Sequence, residues 1–199
     1  LEPQDDRDMP PDLNATVSGI DDDGEGYMVF EISIGNNDGP LSQFNISFVN
    51  EDVFELTSIA TTYNNASVSG DGLAVNAGMC IGISESSIFA QFPDFICSNF
   101  DCDFTQEECE DAGEQWIEAP EPDYIDQSGV LLYVEGHYDL NQFGSQFIIN
   151  VEPEPNTIFF NDEYFPITSD WLPTLWTIGE DFDGSCEYFD CLGECGGNA

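Results

Sequence analysis

The chain has no lysine, one arginine (Arg7) and one histidine (His137), set against forty-one Asp and Glu, for a formal net charge of −40. A surface this negative repels nucleic-acid phosphates and anionic lipid headgroups, and repels itself unless salt screens it or cations bind. DNA, RNA and anionic membrane surfaces are therefore excluded as partners. No apolar run approaches the roughly 20 residues that a membrane helix needs, which excludes insertion by a helix. A lone histidine leaves little means of activating a serine or cysteine nucleophile. The sequence also lacks a G-x-S-x-G, a phosphate loop and a dinucleotide fingerprint. Carboxylate pairs of the glycosidase kind are uninformative in a chain with so many acids. The expectation is a protein without catalysis.

What is present argues for a folded core. Hydrophobic residues make up 41% and aromatics 13% of the chain, including sixteen Phe, too much apolar content for a disordered acidic protein. At 199 residues one domain is the default. Residues 1–12 are polar and Pro-containing and read as an extended arm. From Leu13 the apolar period is two: Met28, Phe30, Ile32 and Ile34 share one face, as do Phe44, Ile46 and Phe48, with Asn45 opposite. Further strands are expected over 53–60, 73–84, 87–92, 130–138, 146–151 and 157–160, separated by Gly, Asn and Asp turns. That spacing, with almost no helical periodicity, predicts an all-β fold of two packed antiparallel sheets over residues 13–176. One short helix is expected where Thr105 and Glu108 form a capping box and Gly113 supplies the stop. Residues 177–199, rich in Gly, Asp and Cys, read as a small appendage held by disulfides.

The seven cysteines, Cys80, Cys97, Cys102, Cys109, Cys186, Cys191 and Cys195, contain no histidine among them, so disulfides in an oxidising compartment are favoured over zinc. The expected pairs are Cys80 with Cys97 and Cys102 with Cys109, and the odd count leaves one thiol for a partner outside the chain. Leu1 in place of an initiator Met fits a processed mature chain or an excised segment. Sequons at Asn14, Asn45 and Asn65 fit a secreted glycoprotein, although they arise easily by chance in an Asn- and Ser-rich chain.

Two acidic turns are candidates for Ca²⁺, a hard cation that takes oxygen ligands. In Asp21-Asp22-Asp23-Gly24-Glu25, the alternating Asp21, Asp23 and Glu25 are the expected ligands, against the plainer reading of a solvated turn. In Glu180-Asp181-Phe182-Asp183-Gly184, Asp181 and Asp183 lie beside Cys186, and a small loop gains most from a metal. Trp116, Trp171 and Trp176 could stack on sugars, but more simply cover the sandwich edge where Pro166 and Pro173 break strands.

The stretches Pro40–Val49, Leu56–Ala60 and Gly129–Glu135 together resemble a cohesin β-sandwich, with its amphipathic F-x-I-x-F strand and a returning G-x-L-x-x-V strand. The resemblance spans about residues 13–160 and implies a flat protein-binding face rather than catalysis. The run from Cys97 to Trp116 resembles a cysteine-rich element of secreted bacterial proteins. The end Asp190–Gly197 resembles one DCxGxCGG unit of the tandem repeats in large marine bacterial surface proteins.

The expected function is an extracellular or cell-surface structural or adhesive module, stabilised by Ca²⁺ and disulfides, whose partners are other copies of itself or surface and matrix proteins. In a filament or surface layer, the arm carrying Arg7 would add to a neighbour's exposed sheet edge. A carbohydrate-binding module is the alternative.

Overall fold

A computed structural model describes residues 13–35, 39–49, 53–61, 67–69, 72–76, 79–84, 87–99, 102, 105–119, 124–125 and 128–180. The N-terminal arm, Asn65, Asp181, Asp183, Cys186, Cys191 and Cys195 lie outside them. In chain order the strands are β1 (Leu13–Asp22), β2 (Tyr27–Gly35), β3 (Leu41–Ser47), β4 (Phe54–Thr61), β5 (Ser67–Ser69), β6 (Gly72–Asn76), β7 (Met79–Ser84), β8 (Ser87–Gln91) and β9 (Phe95–Cys97). The one α-helix among the described residues, α1 (Gln106–Asp111), follows. Then come β10 (Trp116–Glu118), β11 (Gly129–Tyr138), β12 (Gln146–Ile149), β13 (Ile158–Asn161), β14 (Pro166–Ile167), β15 (Ser169–Leu172) and β16 (Thr174–Thr177).

Two six-stranded sheets carry the fold, a first in the order β15-β1-β2-β11-β4-β5 and a second in the order β14-β13-β3-β8-β7-β6. Pairing is antiparallel except where β1 meets β15, Leu13 to Thr16 running parallel to Ser169 to Leu172. The period-two strands put their apolar sides between the sheets. Met28, Phe30, Ile32 and Ile34 of β2 and Phe44 and Ile46 of β3 are all buried. Phe30, Phe48 and Phe54 meet edge to face with centroids 5.7–5.8 Å apart, the arrangement that ring quadrupoles favour. Each such buried side chain contributes about 1.5–3 kcal/mol by removal from water.

Three expectations are corrected. The segment 73–84 is two strands, β6 and β7, paired as a hairpin (Leu73 with Gly82, Val75 with Cys80), because one strand of that length would outrun its neighbour β8. The sandwich does not end at Trp176: Ile178 is 1% exposed and the Gly179 amide donates to Asp22 Oδ2 at 2.8 Å. Gly179 has φ +90 and a Cβ there would lie 2.2 Å from the Phe143 ring, so glycine is required where the chain leaves the core. The disulfides are Cys80–Cys102 and Cys97–Cys109, not the pairs of nearest neighbours. Proximity in sequence misled because β9 and β10 pair, Trp116 opposite Cys97, and carry α1 back over Cys97, leaving Cys102 to reach β7.

Within this excursion, α1 forms as the capping box predicts. The Thr105 hydroxyl accepts from the Glu108 amide, and the Glu108 carboxylate accepts from the Thr105 amide and hydroxyl. These bonds to its charged form lower the Glu108 pKa. Gly113, at φ +82, ends the helix.

Peptide mapping of the unreduced protein should recover Cys80 joined to Cys102 and Cys97 joined to Cys109; a Cys80–Cys97 peptide would refute this topology. Replacing Cys80 and Cys102 together by Ala should cost about 3 kcal/mol in urea unfolding, the loop-closure estimate for a separation of 22 residues.

Candidate functional site

The two sheets differ in what they show to solvent. Of the first sheet's strands, β1, β2, β4, β11 and β15 each contain Asp or Glu, and Glu31, Glu55 and Glu135 stand on its outer face. Hydroxyls hold two of these, Ser18 donating to Glu31 at 3.4 Å and Ser58 to Glu135 at 2.8 Å. The six strands of the second sheet contain no charged residue at all.

Register assigns the second sheet's outward positions, since residues directly opposite in an antiparallel pair share a face. One row runs Ser84, Ser87, Ser47. The next runs Gly82, Phe89, Asn45, Ile158. A third runs Cys80, Gln91, Gln43, Phe160, Pro166. Gln43, Asn45, Phe89, Gln91 and Phe160 border a shallow depression of about 200 Å³ at its centre. Uncharged amides and hydroxyls interspersed with Phe and Ile suit a protein surface: rings supply contact area, amides fix register, and no carboxylate loses its water when the face is covered.

Two structures frame the third row. The disulfide-tied excursion begins just after β8 and is anchored at Cys80. On the other side, the β13–β14 turn exposes Phe165 at 62%. Tyr164 in that turn has φ +62, a strained conformation for a tyrosine. Asn161 Oδ1 holds the turn by accepting from the Glu163 and Phe165 amides. The Tyr164 hydroxyl donates to the Phe92 carbonyl at 3.1 Å, and burial together with its bond to Tyr124 pushes its pKa up to about 12.

The sites expected from sequence are dispersed. Asp23 Oδ1 accepts from the Glu25 and Tyr27 amides, an Asx turn, while Asp21, Asp23 and Glu25 are exposed. Among the described residues no group of three or more His, Cys, Asp or Glu is placed to hold a metal ion. The carboxylate of that turn with the most structural partners is Asp22, which the sequence did not single out. Its Oδ1 accepts from the Gly24 amide at 2.9 Å and the Tyr138 hydroxyl at 2.6 Å, and its Oδ2 from the Gly179 amide. Burial, then the bond to Asp22, pushes the Tyr138 pKa up to about 12.

Trp176 is 1% exposed, packed on Tyr138 and Phe147, and has no ring face open to a sugar. Trp171 is half-buried edge-on to Phe48, and Trp116 is half-buried in β10. Trp176 lies in the core and Trp171 packs against it, whereas Trp116 stands outside that cluster. Asn14 lies on β1, and the Asn45 amide donates to the Asn156 carbonyl. His137 is exposed on β11, its Nδ1 3.2 Å from the Gly26 carbonyl.

No protein-family model and no curated protein matches the sequence. Solved structures do match the fold. CaCohA2 of Clostridium acetobutylicum, in the CaDoc0917–CaCohA2 complex, aligns with a TM-score of 0.51 at 11% identity, over 83% of this chain and 99% of that one. The sixth cohesin of Acetivibrio cellulolyticus scaffoldin B, in complex with a mutant Cel5 dockerin, aligns with a TM-score of 0.50 at 12% identity, over 83% of this chain and 98% of that one. The chain is a cohesin-like β-sandwich.

Asp21→Ala and Asp22→Ala remove the same charge, so their difference isolates the bonds to Asp22. Asp22→Ala should unfold in urea about 3 kcal/mol more easily than Asp21→Ala, given 1.5–3 kcal/mol per bond to a charged group without full additivity. Equal effects would reduce Asp22 to a solvated acid.

Proposed function

We propose that this chain is a non-catalytic, secreted structural or adhesive module that binds another protein through the outer face of its second sheet. The observation that carries the reading is the absence of charge from all six strands of that sheet, in a chain with forty-one acids. Covering any other broad surface would desolvate carboxylates for which this chain supplies no cation, at a cost of several kcal/mol each unless the partner pairs them. The fold supports the same reading: CaCohA2 was solved with CaDoc0917, and the scaffoldin B cohesin with a dockerin. Two disulfides fit an extracellular or cell-surface location.

Surface or matrix proteins are the partners this face suits best. Phe89→Glu places a carboxylate at the centre of the face without touching the core. Proteins captured from the native secreted fraction by the wild-type chain should be lost with Phe89→Glu while the Tm shifts by no more than a few degrees. Equal capture by both would sink the reading.

Calcium belongs to the proposal as the counter-ion of this charge, with Asp21, Asp23, Glu25, Asp181 and Asp183 as candidate ligands. Specific chelation adds binding free energy, whereas monovalent salt only screens. Ca²⁺ should therefore raise the Tm well above the effect of Na⁺ at equal ionic strength; matched shifts would leave screening as the whole effect.

A further inference from the structure

The uncharged face is too small to hold a partner alone. Its rows cross three, four and five strands about 4.8 Å apart and lie about 6.8 Å from one another, so the face spans at most about 19 Å by about 14 Å, and Ser47, Cys80 and Gly82 within it are buried. A stable interface uses about 800 Å² per partner, so a bound protein must reach past the face onto its rim. That rim is acidic. Glu152 and Glu154 lie in the loop whose Asn156 carbonyl takes the Asn45 amide. Asp162 and Glu163 form the turn between β13 and β14. At the Cys80 corner stands the excursion, where exposed Glu107, Glu110 and Asp111 lie on α1. Thr105, its N-cap, follows Cys102 by three residues, about 11 Å of extended chain at most. No Lys or Arg among the described residues offsets any of these charges.

We infer that the occupant of this face is a distinct protein whose contact surface is uncharged at its centre and ringed by lysine and arginine, with the Cys80–Cys102 bond holding the acidic excursion where the ring meets it. The inference rests on the reading of the face given above. A second copy of this chain is not the occupant, because its own rim is equally negative and like charges facing across an interface oppose association. Besides the backbone that enters it from β8, the Cys80–Cys102 bond ties the excursion to β7, so its carboxylates are held beside the face rather than on a free loop.

The test uses the full chain and a defined probe, a displayed library of one three-helix-bundle scaffold. One face of the scaffold is randomised among Ser, Thr, Asn, Leu, Phe, Lys and Glu. Binders are selected on the wild-type chain and kept only if Phe89→Glu abolishes their binding. They should carry Leu, Phe or Ser centrally and Lys peripherally. Their affinity should fall tenfold or more on the triple variant Glu107→Gln, Glu110→Gln, Asp111→Asn. It should change less than twofold on Glu31→Gln, Glu55→Gln, Asp170→Asn, which removes as many charges from the opposite sheet. Face-directed binders without peripheral Lys, or equal losses on the two triple variants, would overturn the inference and leave the binding face standing. Failure to recover any binder that distinguishes Phe89→Glu would overturn the face itself.

Discussion

Mutual repulsion among forty-one carboxylates, with almost no cation to answer it, is the constraint on which the rest of this structure depends. Ion pairs cannot be the remedy where Arg7 is the one Lys or Arg in the sequence. Cohesion comes from the apolar layer between the sheets and from carboxylates bound by neutral donors. Asp22 takes two backbone amides and a tyrosine hydroxyl, Asp23 two amides, and Glu108 the free amide at the start of α1. Each bond stabilises the charged form without adding charge, a device that needs no cation from the chain itself.

The same constraint divides the two faces. Carboxylates spread over the first sheet keep it hydrated and unattractive to other surfaces. Their exclusion from the second sheet leaves one broad area that can lose water cheaply. Hydration and the proposed binding fall on opposite sides of one sandwich, which is possible because strand side chains alternate and the outward set can vary independently of the core.

Between β8 and β11 the chain reaches the main core through Phe92 and Ile125, whereas α1 buries only Cys109 among its residues. Two disulfides add to that limited packing. Cys97–Cys109 closes the excursion on itself, and Cys80–Cys102 fastens it to the sheet. A cross-link that removes chain entropy substitutes for apolar area that a small unit lacks.

Much of the fold was legible in the sequence because it is written in local periodicity. The alternation in Met28–Ile34 and Phe44–Phe48 gave two strands and their inward faces, Thr105 and Glu108 gave the helix start, and strand spacing gave the sandwich. The charge-free character of Leu41–Phe48, Met79–Ser84, Ser87–Phe92 and Thr157–Phe160 was also visible. Only tertiary structure decided that these segments lie side by side, since strand order depends on long-range pairing that no local pattern encodes. It likewise decided that Cys80 meets Cys102, that Trp176 belongs to the core, and that Asp22 rather than its neighbours ties the β1–β2 turn to Tyr138 and Gly179. In each case residues of one kind compete for the same role, and the winner is set by where the chain returns in space.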